Sequence, residues 1–191
     1  MSATQPIRQI CQLTEFKNYY LKERPNPRNY AMIVFGLNTA LRISDILKTT
    51  WGMVYDFDNE MYRPHLYVRE QKTGKETMIA LNQSVISALD SLKSTNTASE
   101  QYLFPSQKNR DMPISRYQAF RIIKKAATDT NLPEHISCHS LRKTFGYHAW
   151  KNGTPPALLM DIFNHSSYQI TKRYLCIEQD DKDNVFFQIN L

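Results

Sequence analysis

The stretch "NHSSYQITKRYL", residues 164–175, carries a tyrosine nine residues after a histidine on one predicted short helix. Two cations, Lys172 and Arg173, directly precede Tyr174. A tyrosine at helical spacing from isoleucines usually packs against the core with its hydroxyl towards water. A tyrosine hydroxyl can also act as a nucleophile. The stretch alone leaves both interpretations open.

Length and composition describe an ordinary globular chain. The 191 residues include 41% hydrophobic and 22% charged residues, which suits one sizeable core. We expect one domain, residues 1–191, with a helical lead-in at 1–25 and a tail at 178–191. The longest apolar run, "AMIVFGL" at 31–37, is far shorter than the roughly 18 residues that span a bilayer, and no export pattern opens the chain. We therefore expect a cytoplasmic protein without a membrane partner.

Cysteine and histidine spacing predicts neither a disulfide framework nor a metal site. The cysteines, Cys11, Cys138 and Cys176, are far apart and form no C-x-x-C pair, so reduced thiols are expected. The five histidines show no H-E-x-x-H or similar spacing. The sequence also has no glycine-rich phosphate loop. The prediction is a protein that uses no metal, no other cofactor and no ATP.

Positive charge is concentrated in the middle of the chain. The formal net charge is +6, and residues 107–151 hold nine Lys and Arg against three Asp and Glu, which accounts for the whole excess. A local excess of cations suits a polyanion bound over a limited patch, although a solvated helix face with surplus lysines has the same composition. The candidate DNA contacts in this basic block are Lys108, Arg110, Arg116, Arg121, Lys124, Lys125 and Lys143.

The spacing of apolar residues and the capping signals predict a mainly helical α+β fold with a small antiparallel β-hairpin or sheet at one edge. Thr14 fits the N-cap of a first helix, and Asn26 followed by Pro27 fits the start of a second. The alternating segments "HLYVRE" and "ETMIAL" predict a hairpin with Gly74 in its turn. Most of the remaining chain is predicted helical, and the last of these helices begins at Ser166 with a capping-box pattern.

Cations and imidazoles recur near predicted helix starts and turns. His139 and Arg142 in "HSLR" lie three residues apart and therefore on one helix face, where they can serve one anionic ligand. Arg42 in "ALRISD" precedes Asp45 by about one turn, and Lys72 stands at the hairpin tip. Each residue alone is more simply a cap, a surface ion pair or a solvated turn lysine.

Taken in order, these motifs resemble the tyrosine recombinase (phage integrase) family. That family carries an arginine in an "ALRxxE/D" helix, a lysine on a β-hairpin, an H-x-x-R motif, and a histidine or tryptophan nine residues before a nucleophilic tyrosine. The corresponding segments here are "ALRISD", "QKTGK", "HSLR" and "HSSYQITKRY", within about residues 29–177. Seven positions agree in order and spacing, so the joint match outweighs the simpler interpretation of each residue.

The resemblance implies a metal-free transesterification of DNA. Tyr174 would be the nucleophile, and Arg42 and Arg142 would stabilise the negative charge of the pentavalent phosphate. Lys72 would be the general acid for the leaving oxygen. The remaining implied roles are proton exchange with the tyrosine hydroxyl for His139, a phosphate hydrogen bond for His165, and orientation of Arg42 for Asp45.

Two positions depart from the family pattern. Asn164 stands where a glycine is common, and asparagine is the next best residue for a left-handed turn. Lys143 stands where a histidine is common, and we expect it to reach a phosphate.

Only about 25 residues precede the match, so the family's N-terminal DNA-clamping domain is expected to be missing.

The implied partners are double-stranded DNA and further copies of the chain, since the family assembles as a tetramer on DNA. Two alternative functions stay open: a type IB topoisomerase, which shares this chemistry, and a non-catalytic DNA-binding regulator that keeps the fold. The apolar tip "NVFFQINL" at 184–191 is expected to dock on its own domain or on a neighbouring subunit.

Overall fold

The computed structural model describes residues 4–72, 74–94, 97–132, 135–177 and 179–189. Its helices are α1 (Ile10–Lys22), α2 (Pro27–Thr39), α3 (Ile43–Lys48), α4 (Trp51–Val54), α5 (Gln83–Asp90), α6 (Arg116–Asp129), α7 (Cys138–Lys151), α8 (Pro156–Ile162), α9 (Tyr168–Leu175) and α10 (Gln179–Gln188). Its strands are β1 (Tyr55–Asp56), β2 (Met61–Tyr62), β3 (His65–Arg69) and β4 (Glu76–Ala80). The mainly helical α+β fold class is confirmed. Residues 1–3 of the predicted lead-in and residues 178, 190 and 191 of the predicted tail lie outside the described residues.

Helix α2 begins as predicted, whereas α1 does not. The Asn26 side chain accepts a hydrogen bond from the Asn29 backbone at 3.0 Å, and Pro27 takes the first helical position. Helix α1 begins at Ile10, ahead of the predicted cap Thr14. The Thr14 hydroxyl donates to the Ile10 carbonyl one turn back, so its hydrogen-bonding capacity is used inside the helix.

Helix α2 forms the centre of the main hydrophobic core. Every residue from 31 to 37 is buried, and the helix packs against α1, α5 and α7. Burial on all sides explains why this segment is apolar all round and has no polar stripe. Helix α7, which carries the "HSLR" motif, is held to this core through Leu141.

Strands β3 and β4 form the predicted hairpin, in antiparallel register between residues 65–69 and 76–80. Leu66 and Val68 face the core, because successive strand residues point to opposite faces. Gly74 adopts a positive φ of 68° in the turn, a conformation that glycine reaches without strain. Thr73 in the same turn lies outside the described residues.

A second hydrophobic cluster joins α7, α8 and α9. Leu159, Phe163 and Leu175 are completely buried in it. Helix α9 begins after Ser167, whose side chain makes no capping hydrogen bond. The predicted cap Ser166 is therefore wrong by one residue, because Ser166 still belongs to the turn before the helix.

The acidic connector and apolar tip predicted after α9 form the helix α10 over most of their length. Its apolar residues are exposed: Val185 and Phe186, with Phe187 at 84%. A cluster of exposed apolar side chains of this kind is typical of a contact surface. Within the described residues, no helix combines the length and the apolar character needed to cross a membrane.

Candidate active site

Arg42 lies at the junction between α2 and α3. Helix α2 ends at Thr39, and its C-cap residue Ala40 has a left-handed backbone with φ 55°. Arg42 is the extended N-cap residue of α3. From this position Arg42 reaches the end of β3, where its Nη1 donates to Oε2 of Glu70 at 2.5 Å. Only 16% of the Arg42 side chain is exposed, so this charge-assisted hydrogen bond is largely shielded from water.

Arg142 projects from α7 to the same place and is 2% exposed. Its guanidinium donates to the backbone carbonyls of Ala40 and Phe163, the second at 2.8 Å, and lies 3.8 Å from Oε1 of Glu70. Burial lowers the pKa of Arg142, whereas Tyr174 and Glu70 raise it. The two arginines predicted from separate motifs therefore converge on one buried carboxylate.

Tyr174 lies on α9 beside both arginines. Its ring centre is 5.0 Å from that of His165 and 5.2 Å from that of Phe163. Burial raises the pKa of the Tyr174 hydroxyl, whereas the charges of Arg142 and Arg42 lower it. The raised pKa keeps the hydroxyl protonated at neutral pH, so a nucleophilic attack requires the proton to leave.

His165 follows a left-handed turn at Asn164, which has a φ of 51°; the expectation that asparagine adopts this turn is confirmed. The Nδ1 atom of His165 lies 3.0 Å from Oγ1 of the buried Thr171. Burial and the charges of Arg142 and Arg42 lower the pKa of His165 to about 4, so the ring is neutral at pH 7. When the Thr171 hydroxyl donates to Nδ1, the proton of the neutral ring is on Nε2 and can be donated to an anion.

Lys72 and His139 line an open cleft beside Arg42, together with Arg116. Lys72 is exposed at the hairpin tip. Partial burial lowers the pKa of His139, and four nearby cations lower it further: Arg142, Lys143, Arg116 and Arg42. A lowered pKa favours the neutral imidazole, which can accept a proton.

Asp45 does not orient Arg42, contrary to the prediction. Its Oδ1 accepts a hydrogen bond from the Gln71 backbone at 3.1 Å, and its Oδ2 is buried without a hydrogen-bond partner among the described residues. Arg42 is the extended residue before α3, whereas Asp45 lies inside the helix, so the three-residue spacing does not bring the side chains together. Asp45 instead ties α3 to the hairpin turn that carries Lys72.

Lys143 is buried and does not point into solvent as a phosphate contact would, contrary to the prediction. The residue is 8% exposed, its Nζ donates to the Thr4 carbonyl at 2.6 Å, and Nζ lies 3.4 Å from Sγ of Cys176. The ammonium also lies 5.4 Å from the ring centre of Tyr174. The N-terminal segment covers this side of α7, which explains why Lys143 is buried.

Residues 4–8, here called the N-terminal strap, bind α7 and the end of α9. The strap backbone forms hydrogen bonds of 2.9 Å with the side chains of Thr144 and His148 on α7. The Nη2 atom of Arg8 donates to the Cys176 carbonyl at 3.0 Å, at the left-handed C-cap of α9. The strap therefore holds the end of the helix that carries the candidate nucleophile.

The other six candidate DNA contacts are exposed and lie in three places. Arg116 begins α6 in the cleft described above. Lys108 and Arg110 lie in the connection between α5 and α6. The others line a second groove, between α6 and the junction of α1 and α2: Arg121, Lys124 and Lys125.

The sequence prediction omits three residues of this site: Glu70, Phe163 and Thr171. Glu70 could have been predicted from the sequence. Alternate residues of β3, Leu66 and Val68, face the core, and the same alternation places the charged Glu70 on that inward face. For Phe163, the sequence indicates burial through its hydrophobicity but gives no indication of a place in the site. Thr171 could not have been predicted, since the sequence does not show which side chain a threonine inside a helix will contact.

Comparison with known proteins identifies the family. Residues 7–180 match the model of the phage integrase family. The protein "Probable integrase/recombinase YoeC" of Bacillus subtilis strain 168 is 42% identical over 180 residues, which are 94% of this chain and 93% of that protein. "Tyrosine recombinase XerD" of Halalkalibacterium halodurans is 23% identical over 83% of this chain and 52% of that protein. The chain therefore spans about half the length of this XerD.

Solved structures share the fold. The crystal structure of XerA recombinase has a TM-score of 0.75 at 18% identity, covering 97% of this chain and 66% of that chain. A lambda integrase dimer bound to a COC′ core site has a TM-score of 0.70 at 17% identity, covering 92% of this chain and 60% of that chain. The chain belongs to the phage integrase family, the site-specific tyrosine recombinases that break and rejoin DNA.

Proposed function

We propose that this protein cleaves and rejoins double-stranded DNA at specific sites through a 3′-phosphotyrosine bond on Tyr174. The proposal rests above all on one observation: Tyr174 lies beside Arg42, Arg142 and His165, three residues brought together from distant parts of the chain. One catalytic domain over residues 1–191 and a cytoplasmic location belong to the same proposal.

The cleavage step is a transesterification. The Tyr174 oxygen forms a bond to phosphorus and gives up its proton, and the bond from phosphorus to the 5′-oxygen breaks. Arg42 and Arg142 offer N–H donors to the phosphate oxygens, whose negative charge grows in the pentavalent transition state. Lys72 lies on the exposed hairpin tip and protonates the leaving 5′-oxygen.

The two histidines act as neutral imidazoles. His139 accepts the proton of the tyrosine hydroxyl, because its lowered pKa leaves a ring nitrogen free for it at neutral pH. His165 donates Nε2–H to a phosphate oxygen while Thr171 holds Nδ1. The phosphotyrosine bond conserves the energy of the broken strand, so rejoining needs no ATP and, in this proposal, no metal.

Recombination between two sites requires more than one copy of the chain. We include a homotetramer on DNA in the proposal, with the exposed apolar side chains of α10 as a candidate contact between subunits. DNA contacts outside the cleft are assigned to the exposed basic residues along α6 and the preceding loop: Lys108, Arg110, Arg121, Lys124 and Lys125.

A nicked suicide substrate tests the proposal. The protein is incubated with such DNA in EDTA, and a covalent adduct is sought on a denaturing gel. The wild type is expected to form the adduct, whereas Tyr174→Phe binds the DNA without becoming attached. An adduct in the Tyr174→Phe variant would identify a different nucleophile, and strand exchange between two sites would separate a recombinase from a topoisomerase.

A further inference from the structure

Glu70 is a buried carboxylate between the two arginines of the site. It is 1% exposed, and each of its oxygens faces a different guanidinium. Oε2 is 2.5 Å from Nη1 of Arg42, and Oε1 is 3.8 Å from Nη1 of Arg142. A carboxylate at such depth is costly unless it is paired, and two guanidinium groups at such proximity repel each other unless an anion lies between them.

The backbone of Glu70 also closes the turn that carries Lys72. Its N–H donates to the Lys75 carbonyl at 2.9 Å, and its carbonyl accepts from the Gly74 N–H at 2.8 Å. One residue therefore borders both the arginine pair and the general acid of the proposed reaction.

Arg42 depends on Glu70 more than Arg142 does. Arg142 is also held by the carbonyls of Ala40 and Phe163. For Arg42, the bond to Glu70 is the one side-chain hydrogen bond within the part of the chain that the structure describes. A guanidinium on a flexible chain loses its direction when its single anchor is removed.

We propose that Glu70 is a positioning residue that holds Arg42 in line with Arg142, so that both guanidinium groups meet the scissile phosphate without reorganisation. This inference rests on the proposed function of the site. Donors that are aligned before the reaction stabilise a transition state most strongly, and misplacement by about 1 Å can cost on the order of 100-fold in rate. Glu70 touches the arginine and not the reacting atoms.

The opposite role would be competition, in which the Glu70 carboxylate competes with the DNA phosphate for the two guanidinium groups. The two roles predict opposite signs for Glu70→Gln, which keeps the shape and removes the charge. Loss of positioning slows cleavage at saturating DNA, whereas loss of a competitor accelerates it. DNA affinity is expected to stay the same or to rise in either case, because the pocket becomes more positive.

A double-mutant cycle tests the inference. Cleavage of the suicide substrate is measured in single turnovers, at saturating DNA, for wild type, Glu70→Gln, Arg42→Ala and the double variant. We expect Glu70→Gln to cleave about 10- to 100-fold more slowly, and the double variant to match Arg42→Ala within about threefold, because Glu70 acts through Arg42. Glu76→Gln, an exposed carboxylate on β4 of the same hairpin, is the matched control and should cleave at the wild-type rate.

The outcomes separate this inference from the proposed function. Absence of an adduct in the wild type would refute the proposed function itself. With an active wild type, a Glu70→Gln rate equal to or above the wild-type rate overturns the inference, and so does a double variant whose loss is the product of the single losses. If Glu70→Gln unfolds below the assay temperature, Glu70→Asp takes its place. Its shorter carboxylate retracts from Arg42, so slowing is expected, and an unchanged rate would overturn the positioning role.

Discussion

Gly146 on α7 packs closely against Phe163 and against Leu175 of the tyrosine helix α9. A Cβ atom added at Gly146 would lie 2.5 Å from Cζ and 2.8 Å from Cε2 of Phe163, and 2.9 Å from Cδ2 of Leu175. Ordinary contact begins at 3.4 Å, so Gly146→Ala must displace the Phe163 ring by about 0.9 Å and Leu175 by about 0.5 Å. Leu175 directly follows Tyr174, and the Phe163 ring packs against Tyr174.

Gly146→Ala is expected to slow cleavage strongly while lowering the free energy of unfolding only slightly. Overpacking a core costs about 1–3 kcal/mol, and alanine in place of glycine inside a helix returns up to about 1 kcal/mol. The net change in unfolding free energy is therefore about 0–2 kcal/mol, or a few degrees in Tm for a chain of this size. Shifts of about 0.5–0.9 Å in the two side chains packed beside Tyr174 are expected to misalign the nucleophile and to slow cleavage by about 10- to 100-fold.

The assay combines thermal unfolding, DNA affinity and single-turnover cleavage of the suicide substrate for each variant. Gly52→Ala on α4 is the matched control, because its Cβ would overlap Oγ of Ser99 and lie 3.2 Å from the Ser99 carbonyl oxygen, and neither residue belongs to the candidate active site. We expect it to lower Tm by a similar amount and to cleave almost normally. Wild-type cleavage by Gly146→Ala, or equal losses in both variants, would refute the view that this packing sets the position of Tyr174.

Four further predictions concern other parts of the chain. Lys72→Ala should be rescued by DNA with a 5′-bridging sulfur, which leaves without a proton; no rescue would mean that Lys72 is not the general acid. Arg8→Ala should slow cleavage about tenfold at saturating DNA by releasing the end of α9, and a change confined to Tm would assign the strap a purely structural role. The pKa of His165 falls from 6.5 in the unfolded chain to about 4 in the folded one, so the unfolded chain binds the proton first, and stability should fall as pH drops from 6.5 towards 4. His165→Gln should show a smaller loss of Tm between pH 7 and pH 5 than the wild type, and an equal loss would contradict the assignment. Deletion of residues 184–191 should leave a folded protein that binds DNA but loses cooperative assembly, whereas unfolding would place the tail in its own core.

The local features of this fold were predictable because their causes lie within a few residues of sequence. Asn26 caps α2 through its own side chain, with Pro27 in the first turn. The hairpin follows from alternation on both sides of Gly74, and the left-handed turn at Asn164 follows from the preference of that residue. The set of catalytic candidates was also readable, since their order and spacing along the chain resemble one family.

The residues that pair with those side chains could not be predicted from the sequence, because the paired residues come from distant segments of the chain. Spacing suggested Asp45 as the partner of Arg42, but the turn after α2 directs Arg42 to Glu70, 28 residues further along the chain. Lys143 was predicted to lie on the surface because it belongs to a cation-rich part of the chain, but the N-terminal strap crosses α7 and buries it. Charge pairing and burial depend on which elements pack against each other, and that packing is settled by the whole core and not by neighbouring residues.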